Sequence, residues 1–374
     1  MRIVLAGGGT AGHIFPTLAV ARRLRKLLGD AEADLTIVCG ARELDRELYR
    51  SVEFDLFPIR VRGIVGVGFA RLPARLWRLG VSTVAVWRDL GARPPDAIVL
   101  SGGYVSVPVM LAGWLRGIPR LIFSGDAQLG WATKALAPLA TVATVAFREA
   151  VGQLRGTRVE FTGYPLREAF TNPDRDAGRA RVGVALGEPL VLVVGGSQGA
   201  HAVNAAIARD LTHLLDRAVI VHVTGRGDFE WLASVRERLS PERRARYHVH
   251  AFINEGFADL MAAADLIVTR SGATAVAELG AVGAPAVIAP GAFGAGHQIA
   301  TANAVAASGA AVVLLEDDLA GGNLASTIAD LLADTPRLDQ MRGASAARGR
   351  PGAADAVARL AIGLADPTWQ AAPA

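Results

Sequence analysis

Short apolar runs alternate with helix-like segments along the whole chain, and halfway along the pattern starts over with a fresh glycine turn. In the first half the runs are Arg2–Ala6, Leu35–Cys39, Asp55–Ile59, Ala97–Leu100, Arg120–Phe123, Thr141–Phe147 and Val159–Thr162. Helical patterns fill the gaps, such as Pro16–Leu28 and Val105–Leu115. In the second half the runs are Leu190–Val194, Val219–Val223, His248–Phe252, Leu266–Thr269, Ala286–Ala289 and Ala311–Leu315. Strands that alternate with helices pair in parallel and are covered on both faces. The chain therefore reads as α/β, with two doubly wound Rossmann-like domains expected to be separated by a cleft. Its 374 residues exceed one ordinary core and suit two. The expected division is a first domain over 1–165, a linker over 166–188 around the polar stretch Asn172-Pro173-Asp174-Arg175-Asp176, and a second domain over 189–374. The Ala-rich helical tail after 319 is expected to pack back toward the first domain.

Three strand-end motifs carry candidate chemistry. Gly7-Gly8-Gly9-Thr10-Ala11-Gly12-His13 follows the first strand. Its glycines allow a sharp turn and close backbone approach, and the next helix aims its free N–H groups into the same crevice. A dinucleotide fingerprint fits the spacing poorly, and a glycine turn without a ligand is the plainer alternative. Gly195-Gly196-Ser197-Gln198-Gly199-Ala200 follows the first strand of the second half. It has the form of a phosphate cradle but lacks the Lys-Ser/Thr ending of nucleotide-hydrolysing loops. A diphosphate held as a leaving group fits it better than a phosphoryl donor. The third motif runs from Arg270 to Glu278. A carboxylate at Glu278 can accept two hydrogen bonds from a ribose diol, or simply be an acid favoured at a helix start.

Charge and composition narrow the partners. Residues 1–165 carry 21 Lys/Arg against 13 Asp/Glu, whereas the whole chain is only +4, so the first half is basic and the remainder net negative. A basic half points to anionic ligands or an anionic surface. No zinc-finger spacing, RNA-binding aromatic motif or long basic block is present, so nucleic acid is not expected. Between Arg60 and Arg93, arginines interleave with Leu72, Leu76, Trp77 and Trp87. Arg71, Arg75 and Arg78 beside Trp77 suit docking on anionic lipid; the alternative is the outer face of a core helix. No uninterrupted apolar run is long enough to span a bilayer, so membrane contact is expected to be peripheral. The N-terminus reads as a first strand and not as a targeting signal. The single cysteine, Cys39, excludes an intrachain disulfide framework and suits a reducing compartment.

His13 is the titratable group of the first loop and the first candidate for a base that takes a proton from an attacking hydroxyl. A hydrogen-bonding histidine at a helix start is the alternative. Asp126 is the second candidate base, against a solvated loop acid. Asp174-Arg175-Asp176 has Asp-x-Asp spacing but lies away from any strand end, so no metal site is expected there, and no cofactor elsewhere.

The ordered set GGGTAGHIFP, GGYVSVP, TGYPLR, VVGGSQGAHAVN and TRSGATAVAE, with the later Gln298, resembles the MurG family from Arg2 to about Leu360. These are peptidoglycan glycosyltransferases that add GlcNAc from UDP-GlcNAc to a lipid-linked MurNAc-pentapeptide. The resemblance implies the two-domain GT-B fold, a hexosyltransferase activity with inversion, and a place on the cytoplasmic face of the membrane. It implies that Ile253 meets the uracil, Glu278 the ribose, and Ser197 and Arg167 the phosphates, with Gln198 and Gly199 in the same loop. Ala273, Thr274 and Gln298 would line the GlcNAc and diphosphate. Gly9, Thr10, Ala11, Gly12 and His13, with Gly103, Tyr104 and Ser106, would face a polyprenyl-diphosphate-linked acceptor. The chain departs from the family pattern at Phe123-Ser124-Gly125-Asp126, at Tyr164-Pro165-Leu166-Arg167, at Ala11 and at Thr301. The altered acceptor loop keeps three alternatives in view: a transferase with another lipid or natural-product acceptor, a UDP-GlcNAc epimerase of the same fold, and a non-catalytic UDP-sugar-binding scaffold.

Overall fold

The computed structural model describes the chain except for residues 51, 64–67, 69–71, 186, 197–198, 292–294 and 371–374 and the side chains of Leu44, Ala295 and His297. It divides into two compact units. One is Met1–Arg167 together with Pro351–Ala374; the other is Glu168–Arg350. The first unit holds β1 (Arg2–Ala6), β2 (Asp34–Gly40), β3 (Asp55–Ile59), β4 (Ala97–Leu100), β5 (Arg120–Ser124), β6 (Val142–Val145) and β7 (Arg158–Phe161). These form a seven-stranded parallel sheet in the order β3-β2-β1-β4-β5-β6-β7. The second unit holds β8 (Leu190–Val194), β9 (Val219–Val223), β10 (Tyr247–His250), β11 (Leu266–Thr269), β12 (Ala286–Ile288) and β13 (Ala311–Val313). Its six-stranded parallel sheet runs β10-β9-β8-β11-β12-β13.

Both sheets are doubly wound, and both reverse strand order at their first strand: β1 beside β4, and β8 beside β11. The central strands β1, β4, β8 and β11 are almost wholly apolar because helices cover both faces, whereas the edge strands β3, β7 and β10 carry polar and part-exposed residues. Ile3, Val4, Leu5 and Ala6 of β1 are each at most 1% exposed, and so are Leu190, Val191, Leu192 and Val193 of β8.

The helix after β1 is Ala11–Leu28, and so starts five residues before the expected Pro16. A proline reads as a helix start because it has no N–H to donate backwards. Here Pro16 sits inside the helix, and the Gly12 carbonyl that its N–H would have met accepts instead from the Tyr164 hydroxyl at 2.7 Å. Tyr164, one of the departures from the family pattern, thus satisfies a backbone acceptor left open by Pro16.

The segment 166–188 is not a free linker. Asp174 caps the helix Arg175–Arg181, its carboxylate accepting from the amides of Asp176 and Ala177 at 2.9 and 3.0 Å. Arg175 and Arg179 then reach Asp265 at 2.6 and 3.3 Å, and the same carboxylate accepts from the Leu190 amide at 2.9 Å. This fastens the helix to the first strand of the second sheet. At the other end of the chain, the helix Ala353–Ala365 packs on Ala11–Leu28 and beside β4 and β5, within the first unit. Val357, Ala358, Ala361 and Ile362 are fully buried there. Burial of a side chain the size of Val or Ile contributes roughly 1.5–3 kcal/mol. Arg23 adds a bond to Asp355 at 2.7 Å.

Candidate functional site

Where a parallel sheet reverses its strand order, the loops leaving the two neighbouring strands diverge and open a crevice at the strands' carboxyl ends. In the first unit those loops follow β1 and β4. The β1 loop leads through Thr10, the residue before the helix, to His13. Nδ1 of His13 lies 2.9 Å from the Thr10 hydroxyl. The ring rests against Gly102 and Gly103 of the β4 loop; a Cβ on Gly103 would come within 3.0 Å of Nδ1 and would force φ = 74° on a side-chain-bearing residue. Burial lowers the pKa of His13, and the carboxylate of Asp126, just beyond β5, pulls it partly back up. The imidazole is therefore neutral near pH 7 and able to accept a proton.

Beneath the same loop, Asp45 is completely buried and accepts from the Gly9 amide at 2.8 Å. Its other oxygen has no partner among the described residues. The Tyr104 ring covers Gly9, with the Arg42 guanidinium 4.7 Å from the ring centroid. Burial raises the pKa of Tyr104, the Asp45 carboxylate adds to that, and Arg42 and Arg62 oppose it. The Tyr104 hydroxyl is buried without a partner among the described residues. Ser106 is fully buried and its hydroxyl donates to the Gly102 carbonyl at 2.6 Å, which makes it a brace for the loop.

In the second unit the corresponding loops follow β8 and β11. Ser197 and Gln198 lie outside the described residues. Gly199 has φ = 76°, and a Cβ there would stand 2.9 Å from the Thr224 carbonyl. The helix His201–Arg209 starts immediately after, and Asn204 ties it down by donating to that carbonyl at 2.9 Å and to Asp228 at 2.7 Å. After β11, Ala273 and Thr274 open the helix Ala273–Val282, and Glu278 lies further along it, 8% exposed. After β12, the Gly291 amide donates to Gln298 at 2.8 Å. Ile253 lines a cavity of about 440 Å³ beyond β10, with Phe252, His248 and His250; burial lowers the pKa of both histidines. Gly199, Ala273 and Thr274 thus lie just beyond the carboxyl ends of β8 and β11, Ile253 beyond β10, and Glu278 and Gln298 within the helices that follow β11 and β12. Arg167 belongs to the first unit, its guanidinium 5.5 Å from the centroid of the Phe15 ring.

Two further residues at these strand ends had no ligand-binding role assigned from sequence. Ser271 is 2% exposed, and its hydroxyl has no partner among the described residues. Arg270 lays its guanidinium over Gly291, where a Cβ would fall 1.2 Å from Nη2. It is half-buried, and no described carboxylate pairs with it. A half-buried cation without a counter-charge at a strand-end crevice is suited to an anionic ligand. The signal available in sequence was its position directly after strand β11. The Asp-x-Asp stretch, by contrast, is committed to capping and to the Asp265 network.

Comparison with known proteins agrees with this layout. Residues 3–145 match the glycosyltransferase family 28 N-terminal domain, and 190–357 match the glycosyltransferase family 28 C-terminal domain. The chain is 34% identical over 369 residues to the UDP-N-acetylglucosamine--N-acetylmuramyl-(pentapeptide) pyrophosphoryl-undecaprenol N-acetylglucosamine transferase of Moorella thermoacetica, covering 97% of this chain and 98% of that one. It is 36% identical over 366 residues to the protein of the same name from Salinibacter ruber, covering 97% of each. The crystal structure of Acinetobacter baumannii MurG superposes with a TM-score of 0.76 at 25% identity, over 96% of this chain and 99% of that one. The chain belongs to the MurG family, within glycosyltransferase family 28.

Proposed function

We propose that the chain transfers GlcNAc from UDP-GlcNAc to a polyprenyl-diphosphate-linked MurNAc-pentapeptide, lipid I, at the cytoplasmic face of the membrane, forming lipid II for peptidoglycan synthesis. The observation that carries this reading is the end-to-end likeness to transferases named for that reaction. In the proposed step, Nε2 of His13 takes the proton from the acceptor hydroxyl. The hydroxyl oxygen forms a bond to the anomeric carbon as the bond to the diphosphate breaks on the opposite face, so the configuration inverts. UDP leaves with the electron pair. Its charge is met by the first amides of the helix His201–Arg209 and by Arg270, Ser197 and Arg167. Glu278 holds the ribose, Ile253 the uracil, and Ala273, Thr274 and Gln298 the sugar. The displacement is redox-neutral and uses no cofactor.

The acceptor's lipid requires the enzyme to reach the bilayer. No described helix is long and apolar enough to cross one. The helix Leu72–Ala92 instead exposes Leu76, Trp77, Val81, Val84 and Trp87, with Trp77 74% exposed. Arg78 and Arg88 are exposed on the same helix, whereas Arg75 donates to the Gly63 carbonyl and Arg71 lies outside the described residues. Exposed Trp and Leu flanked by arginine suit an interfacial helix on anionic lipid. Incubation of the protein with labelled UDP-GlcNAc and lipid I in vesicles tests the reading. Labelled lipid II and acceptor-dependent UDP release are expected. Conversion of UDP-GlcNAc to an epimer without acceptor, or transfer only to another acceptor, would overturn it.

A further inference from the structure

Tyr164 and Phe123 are both departures from the family pattern, and the structure brings them into contact. Just past β7 the chain turns at Gly163, where φ is 86°. The Gly163 amide donates to the Val145 carbonyl at the end of β6, 3.3 Å away. Tyr164 then lies back across the carboxyl end of the sheet. Its ring meets that of Phe123 on β5 edge-on, with centroids 5.4 Å apart and planes at 80°, a geometry that aromatic pairs favour. Both side chains are buried. The Tyr164 hydroxyl reaches the helix that follows β1 and donates to the Gly12 carbonyl at 2.7 Å.

That carbonyl belongs to the peptide joining Gly12 to His13. A helix ordinarily ties each carbonyl to the amide four residues on, and here that residue is Pro16, which has no amide hydrogen. The remaining bonds around His13 are local. Its amide donates to the Thr10 carbonyl at 3.0 Å, and the Thr17 hydroxyl donates to its carbonyl at 2.7 Å. The Tyr164 bond instead ties the turn to elements from the far side of the sheet. Because a peptide is planar, holding the Gly12 carbonyl also fixes the direction from which the His13 side chain projects. Phe123 backs the opposite wall of the same site. A Cβ on Gly102 would stand 3.7 Å from the Phe123 carbonyl and 3.2 Å from Cδ2 of His13. The aromatic pair therefore touches both the helix that carries His13 and the loop against which its ring rests.

We infer that Tyr164 is a positioning residue for His13: by holding the peptide between Gly12 and His13, it sets where the imidazole stands between Thr10 and Gly103. The inference rests on the reading of His13 as the base, but half of its test needs no turnover. Tyr164→Phe removes the hydroxyl and keeps the ring against Phe123. Amide hydrogen exchange over residues 13–17 should quicken several-fold in this variant. Exchange across β4 and β5, unchanged, reports that the first unit is folded. In transfer to lipid I, kcat should fall on the order of 10- to 100-fold, the scale of a small misplacement of a reacting group, with KM for UDP-GlcNAc unchanged. Pro16→Ala returns an amide hydrogen four residues after Gly12. Added to Tyr164→Phe, it should restore both the slow exchange and most of kcat. A lost packing contact, or a lost contact between Tyr164 and substrate, would not be repaired in that way. Unchanged exchange in Tyr164→Phe, or a fall in kcat that Pro16→Ala leaves unrepaired, overturns the inference. So does wild-type kcat in Tyr164→Phe when His13→Asn is inactive. If exchange responds as expected but Tyr164→Phe and His13→Asn both keep kcat, the hold on His13 stands and the base reading fails instead.

Discussion

The Thr10 hydroxyl and Nδ1 of His13 are 2.9 Å apart, three residues apart at the start of one helix. When Nδ1–H donates to Thr10, the lone pair of Nε2 is left free to accept a proton. His13→Asn keeps polarity and removes the base, so kcat should fall by ~10²–10⁴-fold with donor affinity little changed. Thr10→Val should lower kcat, and Thr10→Ser should restore it. Steady-state kinetics with titration of UDP measures both. A His13→Asn variant within a few-fold of wild type would make Asp126 the lead candidate for the base.

The pH profile separates the two candidates. Burial holds His13 below the ordinary histidine value of 6.5, and Asp126 works against that shift. The proton-accepting form therefore persists below pH 6.5 and is lost only as pH falls through the lowered pKa. Asp126→Asn removes the opposing charge, so the acid limb of kcat/KM should move to still lower pH with the plateau largely kept. Collapse of the plateau in Asp126→Asn would mean that Asp126 itself accepts the proton.

Glu278→Ala should weaken UDP binding by ~1.5–3 kcal/mol, the range for hydrogen bonds to a charged group. That corresponds to roughly 10- to 150-fold in Kd. Calorimetry with UDP and with 2′,3′-dideoxy-UDP distinguishes a ribose contact from general damage, because the variant should lose affinity only for the former.

Arg270→Ala should weaken UDP by a similar ~1.5–3 kcal/mol but leave uridine binding unchanged, since only UDP brings an anion to pair with the guanidinium. Equal losses for both ligands would assign Arg270 to packing on Gly291.

The double change Arg78→Glu and Arg88→Glu should weaken binding to anionic vesicles by at least ~2 kcal/mol, at about 1 kcal/mol per basic residue near the surface. The difference should shrink at high salt and be absent with neutral lipid. Vesicle sedimentation measures it; unaltered binding would place the docking surface elsewhere.

The central strands were legible because a strand buried on both faces must be largely apolar, and a glycine turn follows the first strand of each sheet. What stayed hidden depends on partners remote in sequence. The stretch around Pro173 has a linker's composition, yet Asp265, 90 residues beyond Arg175, makes it part of the second unit. Pro16 suggested a helix start because its rescue comes from Tyr164, 152 residues from Gly12. That the two glycine loops follow the first strand of each sheet, with His13 and Glu278 on helices that leave strand ends, was readable from motif and position. That Arg270 meets no carboxylate among the described residues was not, because it is a property of the packed strand ends. The acceptor side was least legible: Asp45, which holds Gly9, lies in an ordinary-looking helical stretch.

The return of the final helix to the first unit bears on synthesis. Residues 1–167 are made before Glu168–Arg350, but the helix Ala353–Ala365, which covers part of their sheet, is made after it. Glu168–Arg350, an uninterrupted stretch, is free to fold while the earlier-made part still waits for its closing piece. A truncation before Pro351 should therefore harm the end of the protein that was made first. A circular permutant that begins at Pro351 and joins Ala374 to Met1 would supply the first unit as one continuous segment.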